Sequence, residues 1–320
     1  MKRYPLQLSY IAKSAIWGGQ TLREAWGKQG GGENIAETWE LSVRSNEMAT
    51  VLNGEAKGMT LAEVLRLWGA DCVSSDYREG DRFPMLVKLI DAEDKLSVQV
   101  HPDDAYASVV EGDSGKTEMW YIVDAREGAS IIYGLKDGVD REKFARAVEN
   151  GNLSEVMNTV PVEAGESYFI PAGMLHAIGA GILIAEIQQN SDLTYRVYDY
   201  DRRGADGSLR PLHTKKALDV VRPFTEAEVE EIRFARGKTN DEDCLACSRY
   251  FQAHRVTVEG CQTFIQSKDS FASLLCLEGD GEVYYEGTSY PVSKGDSYFL
   301  PAGLGKYELR GHLTLIRSEL

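Results

Sequence analysis

The hydrophobic pattern of this chain is mostly that of short β-strands. Residues 36–43 alternate apolar and polar side chains with a period of two, as a half-buried strand does. The polar set of this strand includes Glu40 and Ser42, which would either line a pocket or face solvent. Further runs rich in β-branched and aromatic residues are found at 83–90, 97–101, 116–122 and 163–198. The pattern therefore predicts a mainly β fold, with a turn-rich gap between 101 and 116.

Helical patterns are few and short. Thr60 and Glu63 form a capping box ahead of apolar residues at helical spacing, which predicts one amphipathic helix. A second short helix is predicted over residues 140–150. From 211 to 231 the pattern is helical again and is broken at Pro223, which indicates a linker or a covering helix pair between two β units.

An internal repeat relates these two β units. The sequence GESYFIPAG at 165–173 recurs as GDSYFLPAG at 295–303, and a near-identity of this length predicts two homologous units. His176 follows the first copy at the position where Lys306 follows the second. We therefore predict a C-terminal unit that kept the scaffold without a metal. The predicted parts are a metal-binding unit, a helical linker and a metal-free unit, over residues 1–210, 211–235 and 236–320.

The strongest chemical signal is a group of four side chains that could share one divalent cation. Gln99 and His101 are two residues apart on one predicted strand, so their side chains point to the same face. Glu118 adds a carboxylate from the next strand, and His176 adds a second imidazole. Two imidazoles with oxygen ligands suit zinc, and an open coordination position would suit catalysis rather than structure.

The other candidate groups carry weaker signals. Lys88 lies inside an apolar run, so its side chain either extends to solvent or enters a cavity, and the adjacent metal strand favours the cavity. A histidine without such context is more often a packed or surface residue than a ligand. Cys244 and Cys247 have the spacing of a redox or zinc pair, but no second pair accompanies them. We therefore predict no chemistry for this cysteine pair, or for His213, His254 and His312.

Composition and charge exclude several function classes. The 320 residues are 43% hydrophobic and 27% charged, which is typical of a globular protein. A net charge of −15 argues against a general nucleic-acid or membrane-surface role, whereas a small anion could bind where lysines and arginines converge. There is no N-terminal apolar targeting segment, and five cysteines do not suggest a disulfide framework, so we expect a cytoplasmic location.

Two motifs resemble those of a known superfamily. The pattern G-x5-P-x-G-x-x-H at 165–176, preceded by Q-x-H at 99–101 and by Glu118, resembles the two motifs of the cupin β-barrels. With a glutamine in place of the first histidine, K-T-E at 116–118 and the long run at 186–200, the chain resembles the type I mannose-6-phosphate isomerases, and best their short bacterial branch. The similarity extends over residues 17–213, and the C-terminal unit supports it more loosely.

The resemblance implies a fold, an activity and a site. The implied fold is two cupin-like β-barrel (jelly-roll) units with a few short inserted helices. The implied enzyme binds one Zn²⁺ per chain and interconverts mannose 6-phosphate and fructose 6-phosphate through an enediol. Many members have a proline where this chain has Thr117, which should alter backbone stiffness more than chemistry. The implied zinc ligands are Gln99, His101, Glu118 and His176.

The resemblance also implies roles for the residues around the metal. Arg196 is the implied catalytic arginine and would stabilise the enediolate. Glu186 is our candidate for the proton shuttle, with a metal-bound water or hydroxide as the competing possibility. The implied substrate-pocket residues are Lys116 and Asp192 beside Glu186, and Lys88 is a further candidate for contacts to the phosphate or sugar hydroxyls. The expected partner is a small sugar phosphate, with neither nucleic acid nor membrane, and the expected state is a monomer or homodimer.

Three alternatives stay open at this stage. A non-catalytic cupin could bind a sugar phosphate, although it would need no proton shuttle of the Glu186 type. Iron-dependent oxygenation is disfavoured because Gln99 replaces an imidazole ligand. Within the isomerases, residue spacing leaves room for a glucose 6-phosphate preference.

Overall fold

The structure is a computed structural model, and it describes residues 1–44, 47–204, 207–237 and 243–320. The strands of this part of the chain are β1 (Leu6–Leu8), β2 (Ile11–Lys13), β3 (Glu37–Leu41), β4 (Val43–Arg44), β5 (Glu47–Met48), β6 (Met85–Ala92), β7 (Val98–Val100), β8 (Glu118–Ala125), β9 (Ser130–Leu135), β10 (Met157–Pro161), β11 (Ser167–Ile170), β12 (His176–Ile178), β13 (Ile182–Gln189), β14 (Tyr195–Tyr198), β15 (Cys244–Cys247), β16 (Gln252–Gln266), β17 (Ala272–Tyr285), β18 (Thr288–Ser293), β19 (Ser297–Leu300) and β20 (Gly305–Glu319). The α-helices are α1 (Thr21–Glu24), α2 (Leu61–Trp68), α3 (Asp104–Val110), α4 (Arg141–Asn150), α5 (Thr214–Val220) and α6 (Glu226–Arg233). The predicted mainly β fold with a few short helices is confirmed.

The N-terminal unit is built from two antiparallel sheets that face each other. One has five strands in the order β10-β9-β12-β7-β14, and the other has six in the order β11-β8-β13-β6-β3-β2. His176 on the first sheet and Glu118 on the second come within 3.4 Å of each other. The inner faces of the two sheets therefore enclose the space into which the candidate ligands point.

The outer faces of these sheets are apolar and covered. Strands β7 and β14 present Val98, Val100 and Val197 to α4 and α5, which contribute Phe144 and Ala217. Because side chains alternate along a strand, this burial turns the polar residues of the same strands inward. The outer face of the six-stranded sheet belongs to a larger core that continues into the C-terminal unit, where it includes Phe251, Phe271 and Phe299.

The C-terminal unit is a single sheet in the order β1-β19-β17-β20-β16-β15, with β18 paired to β17. Its long strands β16 and β20 stay in register over their whole length, from Gln252 opposite Glu319 to Gln266 opposite Gly305. The short β1 near the N-terminus pairs with β19 of this sheet, so the first strand of the chain lies in the second unit. The two copies of the repeat, β11 and β19, occupy corresponding places.

The predicted helices are present, and two short helices, α1 and α3, were not predicted. The Thr60–Glu63 capping box begins α2, the helix predicted over 140–150 is α4, and α5 and α6 form the predicted pair around Pro223. The gap between residues 101 and 116 is not only turns, because it contains α3, which Asp103 caps by accepting the Tyr106 backbone N–H. The strand predicted from residue 116 begins two residues later, at Glu118.

The helices of the described residues are short. None of them is long and apolar enough to cross a membrane.

Candidate metal centre

Sheet register brings the candidate ligands of the five-stranded sheet side by side. His176 at the start of β12 lies directly opposite Gln99 on β7, and Gln99 lies opposite Arg196 on β14. Residues opposite each other in an antiparallel pair share one face, so all three side chains point towards the facing sheet. His101 follows β7 by one residue, and its side chain is buried. The Gln99 side chain is partly buried in this row.

The facing sheet supplies the carboxylate. Glu118 begins β8 and is fully buried. Its Oε2 lies 3.5 Å from His101 Nε2, and its Oε1 lies 3.4 Å from His176 Nε2. The two Nε2 atoms are 3.1 Å apart. Three ligand atoms from three different strands thus lie within 4.8 Å of one another.

The hydrogen bonds of these groups fit a cation rather than a closed polar network. His176 Nδ1 lies 2.8 Å from the Met174 carbonyl, which fixes the proton on Nδ1 and leaves Nε2 as a lone-pair donor. Neither Glu118 oxygen receives a hydrogen bond from the described residues, and His101 Nδ1 is also unpartnered. Buried polar atoms without partners are rare, and a metal ion would satisfy the carboxylate. Two imidazoles, a carboxylate and the adjacent Gln99 amide form a donor set that suits zinc.

Burial controls the protonation of the ligands. Burial, followed by the charge of Lys116, lowers the pKa of His101 to about 3. Burial also lowers the pKa of His176. Burial opposes ionisation of Glu118, but Lys116 and then His101 hold the pKa of this carboxyl well below its usual range. At neutral pH the site therefore offers two neutral imidazoles and one carboxylate, which are the forms that bind a metal.

Lys116 lies at the edge of this cluster. Its Nζ is 2.8 Å from Glu118 Oε2 and 3.3 Å from His101 Nε2. The contact to Glu118 is close enough for an ion pair, although its angles do not make a hydrogen bond. The side chain is buried, so its ammonium is a fixed positive charge next to the candidate ligands.

A second buried charge cluster lies beside Trp120, which follows Glu118 by two residues on β8. Lys88 on β6 is opposite Glu186 on β13, with 3.0 Å between Nζ and Oε1. Trp120 on β8 donates its indole N–H to Glu186 Oε2 at 3.1 Å. Burial acts to lower the pKa of Lys88, yet Glu186 and then Glu37 raise it above its ordinary value. Lys88 is therefore buried in an ion pair rather than extended to solvent, and Glu186 Oε1 accepts no hydrogen bond from the described residues.

Two of the predicted residues sit further out. Arg196 is half-buried and donates from Nη1 to the Pro211 carbonyl at 2.9 Å, while its Nε has no partner among the described residues. Burial, followed by the charge of Arg210, lowers its pKa. The Asp192 side chain is 52% exposed and pairs with Arg44 at 2.7 Å, so the structure shows it in a surface ion pair.

The sequence pattern did not identify Glu37 as a neighbour of the candidate site, and it gave the wrong surroundings for Glu40. Glu37 lies 3.7 Å from Lys88 and accepts the Trp39 indole N–H at 2.8 Å. Glu40, expected to line a pocket or face solvent, instead forms a buried ion pair with Lys28 at 2.6 Å, and Lys28 also donates to the Gly295 carbonyl of the C-terminal unit. The period-two alternation identified the strand but not which of its two faces meets the cavity.

The other residues with weak signals have structural partners. His213 Nδ1 accepts the Arg196 backbone N–H at 3.2 Å. His312 is exposed, with Glu259 at 3.6 Å. Cys244 and Cys247 are free and buried on β15.

The chain matches two family profiles. Residues 6–128 match the profile described as phosphomannose isomerase type I, catalytic domain. Residues 241–320 match the profile described as mannose-6-phosphate isomerase, cupin domain. The cupin-like character predicted for the C-terminal unit is thus confirmed.

Full-length relatives and solved structures agree with these matches. Mannose-6-phosphate isomerase ManA of Bacillus subtilis is 38% identical over 321 residues, covering 100% of both chains. A mannose-6-phosphate isomerase of Streptococcus mutans is 35% identical over 98% of both chains. The crystal structure of mannose 6-phosphate isomerase from B. subtilis matches with a TM-score of 0.89 and 35% identity, over 99% of this chain and 100% of that one. A mutant phosphomannose isomerase from Salmonella typhimurium shares the fold alone, with a TM-score of 0.78, 14% identity and 98% of both chains covered. With its fold, its buried His–Glu–His group and its relatives in agreement, the chain belongs to the type I mannose-6-phosphate isomerase family.

Proposed function

We propose that this chain is a zinc-dependent aldose–ketose isomerase that interconverts mannose 6-phosphate and fructose 6-phosphate through an enediol. The observation that carries the proposal is the convergence of His101, Glu118 and His176 beside the buried Lys88–Glu186 pair. Ligand atoms and a candidate proton shuttle then share one cavity face, as an isomerase requires. The relatives' names give mannose 6-phosphate as the isomerised sugar for those proteins, and 38% identity over the full length supports the same sugar here.

We propose Gln99, His101, Glu118 and His176 as the zinc ligands. A bound zinc would polarise the substrate carbonyl and neutralise charge that develops on its oxygen. Lys116 would keep Glu118 ionised and would offer its ammonium to the same oxygens of the substrate.

Glu186 is the proposed proton shuttle. Its Oε2 is held by the Trp120 indole, so Oε1 is the oxygen available to remove the proton from C2 and return it to C1. Lys88 Nζ lies 3.0 Å from this same oxygen. Glu37, at 3.7 Å, is a second carboxylate partner of Lys88 besides Glu186.

Positively charged side chains around the candidate metal site would attract the dianionic substrate. Arg196 shares a face with Gln99 and His176, and it would place fixed charge next to the developing enediolate. Lys88 and Lys116 provide local positive potential in a chain whose net charge is −15. We retain Asp192 as a substrate contact only if Arg44 releases it, because the two are paired in this structure.

We further propose that catalysis belongs to residues 1–210, with 211–235 as the helical linker and 236–320 as a metal-free unit. The helix pair of α5 and α6 supports the linker, and the ligand row of β7, β8 and β12 supports the first assignment. Residues 238–242, at the start of the third part, lie outside the described residues.

The deciding experiment is an isomerisation assay on metal-stripped protein before and after one equivalent of zinc. We expect fructose 6-phosphate to form from mannose 6-phosphate only after zinc is added. Glucose 6-phosphate assayed in parallel tests the sugar preference. Retained zinc binding without turnover of either sugar would overturn the enzyme and leave a sugar-phosphate-binding protein.

A further inference from the structure

The side chain of Gln189 joins segments that carry different candidate ligands. It lies at the end of β13, next to Gln188, and its side chain points away from the face that carries Glu186. Its Oε1 accepts the Thr117 backbone N–H at 2.9 Å, and its own backbone N–H donates to the Thr117 carbonyl at 3.1 Å. Gln189 uses three hydrogen-bonding groups, and two of them thus bond to Thr117, the residue that precedes Glu118.

The third of these groups reaches the segment that follows His101. Gln189 Nε2 donates to Asp104 Oδ1 at 3.0 Å, and the same oxygen accepts the Gly115 N–H at 2.9 Å. A Cβ on Gly115 would lie 2.5 Å from the backbone of residues 103 and 104, so only glycine permits this approach. The loop after His101 is thereby held against the segment that leads into Glu118.

Thr117 extends the connection to the third ligand. Its hydroxyl accepts the Ala172 backbone N–H at 3.3 Å, in the turn that leads to His176. The Gly173 N–H of this turn donates to the His101 carbonyl at 2.8 Å. The segments that carry His101, Glu118 and His176 are therefore cross-linked behind the ligands, and Gln189 and Thr117 are the side chains that join them.

Among the described residues the Glu118 carboxylate accepts no hydrogen bond and has only the ion-pair contact of Lys116 beside the two imidazoles, so its position depends on its backbone and on the bonds that hold that backbone. Gln189 is 9% exposed and Thr117 is 2% exposed, so water cannot replace a lost partner easily. Removing the Gln189 amide would leave the Thr117 N–H without its side-chain partner and the Asp104 carboxylate without one of its donors, and the backbone would have to move to satisfy them. Outer residues that orient ligands typically change metal affinity by about 10-fold to 100-fold.

We propose that Gln189, acting through Thr117 and Asp104, is a positioning residue that sets the spacing of Glu118 and His101 and so the affinity for zinc. The inference rests on the metal site of the proposed function. Gln189 is not proposed as a substrate contact, because its side chain lies on the face of β13 opposite to that of Glu186.

The test is zinc affinity, measured by competition with a chromophoric chelator on the full-length chain. Gln189→Met preserves the side-chain volume and removes both amide bonds, and we expect zinc to bind at least about tenfold more weakly. Gln266→Met is the matched control. Gln266 is a buried glutamine of the C-terminal unit that bonds the Ser270 carbonyl and Arg317. This control should lose stability and keep the wild-type zinc affinity.

Two results would overturn the proposal. One is wild-type zinc affinity in folded Gln189→Met, with a loss of stability no larger than that of Gln266→Met. The other concerns Asp104→Ala, which keeps the bonds to Thr117 and covers the case in which Gln189→Met does not fold. We expect about threefold weaker zinc binding in Asp104→Ala, and unchanged affinity would contradict the proposal. Because the readout is zinc binding, failure of isomerisation in the wild-type chain would overturn the proposed function separately.

Discussion

The two copies of the repeat place different residues at equivalent positions of equivalent strands. In the N-terminal unit, Ile170 of the first copy lies opposite Glu118 on β8. In the C-terminal unit, the corresponding Leu300 lies opposite Ala272 on β17. The candidate carboxylate ligand of one unit is therefore a methyl group in the other, and the backbone pairing around it is the same.

The same correspondence holds for the other site residues. The strand after His176 brings Glu186 opposite Trp120, and the long β20 brings Arg317 opposite Leu274. His176 itself is fully buried, whereas Lys306 has 68% of its side chain exposed and lies 3.8 Å from Glu308.

The difference shows how a binding site departs from a scaffold. Arg317 donates to Tyr307, Gln266 and Glu319, so the charged side chain at this position of the C-terminal unit is satisfied by residues of its own unit. The N-terminal unit instead buries oxygens of Glu118, Glu186 and Gln188 that have no donor among the described residues. Such groups cost stability unless a ligand completes them. In the N-terminal unit the oxygens of Glu118 and Glu186 are thus available to a ligand, whereas Arg317 at the corresponding place of the C-terminal unit is bonded to protein side chains.

Removing a ligand from one copy should give the largest effect. We expect His176→Ala to lose zinc and to reduce kcat/KM by at least about 100-fold, because one imidazole of the donor set is gone. Lys306→Ala, at the equivalent position, should retain zinc stoichiometry and kcat/KM within about twofold. Metal content by atomic absorption and the isomerisation assay decide the matter. Equal losses in both variants would end the distinction between the units.

Glu186, the proposed proton shuttle, and its counterpart Arg317 give the next comparison. Glu186→Gln should reduce kcat by about 100-fold or more while zinc affinity stays near wild type, because proton transfer is lost and the ligands are intact. Arg317→Gln at the equivalent register should leave kcat unchanged and reduce the free energy of unfolding by about 1–3 kcal/mol. Steady-state kinetics and urea unfolding measure the two quantities. If Glu186→Gln retained wild-type kcat, the base would have to lie elsewhere.

When no metal is bound, acid should reduce the stability of the N-terminal unit in particular. Burial, followed by Lys116, holds the pKa of His101 at about 3, and burial also lowers that of His176, against about 6.5 in an unfolded chain. As pH falls below about 6.5, the unfolded chain takes up protons that the folded state does not, so stability falls until pH reaches the folded pKa. Glu118, whose pKa is also lowered against the opposing effect of burial, adds a loss of the same sign at more acidic pH.

We therefore expect the free energy of unfolding of metal-free protein to fall by about 2 kcal/mol between pH 7 and pH 5.5. Urea unfolding at the two pH values measures it. His101→Gln should flatten the dependence, and His312→Gln, which changes an exposed histidine, should not. The same slope in all three proteins would show that these buried rings do not titrate as described.

The glycines that end the two repeats give the smallest effect. Gly173 and Gly303 both have positive φ, of 93° and 74°, so alanine should cost about 1 kcal/mol at either position. A Cβ on Gly173 would also lie 3.0 Å from the Val220 carbonyl oxygen, whereas Gly303 has only a flexible lysine side chain nearby. We expect Gly173→Ala to be the more destabilising by about 1 kcal/mol in urea unfolding. A larger loss in Gly303→Ala would contradict this order.

Much of the fold was predictable from local pattern. Period-two alternation located the strands, the Thr60–Glu63 box located α2, and the repeat predicted two related units. These signals are short-range and depend on few residues. Helix α3 was missed because Pro102 and the aspartates and glycines around it favour turns, while the helix is held by the Asp103 cap and by packing of Ala107.

The face of a strand was less predictable than its existence. Glu37 and Glu40 lie three residues apart on β3, and both faces of that strand are buried. The face with Glu37 meets Lys88, and the face with Glu40 meets Lys28 under the C-terminal unit. A strand covered on both sides has no solvated face to reveal its orientation in the sequence.

Local sequence showed which chemical groups were available: the Gln-x-His pair on one strand face, the carboxylate at Glu118, the turn before His176 and the repeat that lacks them. Which of these groups meet became clear from the packing of the two sheets. The register of β12, β7 and β14 aligned His176, Gln99 and Arg196, and the facing sheet brought Glu118 to within 3.5 Å of both histidines. The positioning by Gln189, the contact of Glu37 and the surface pairing of Asp192 depend on strands far apart in the chain. Side-chain pattern is a local property, whereas convergence depends on sheet register and on which faces are covered.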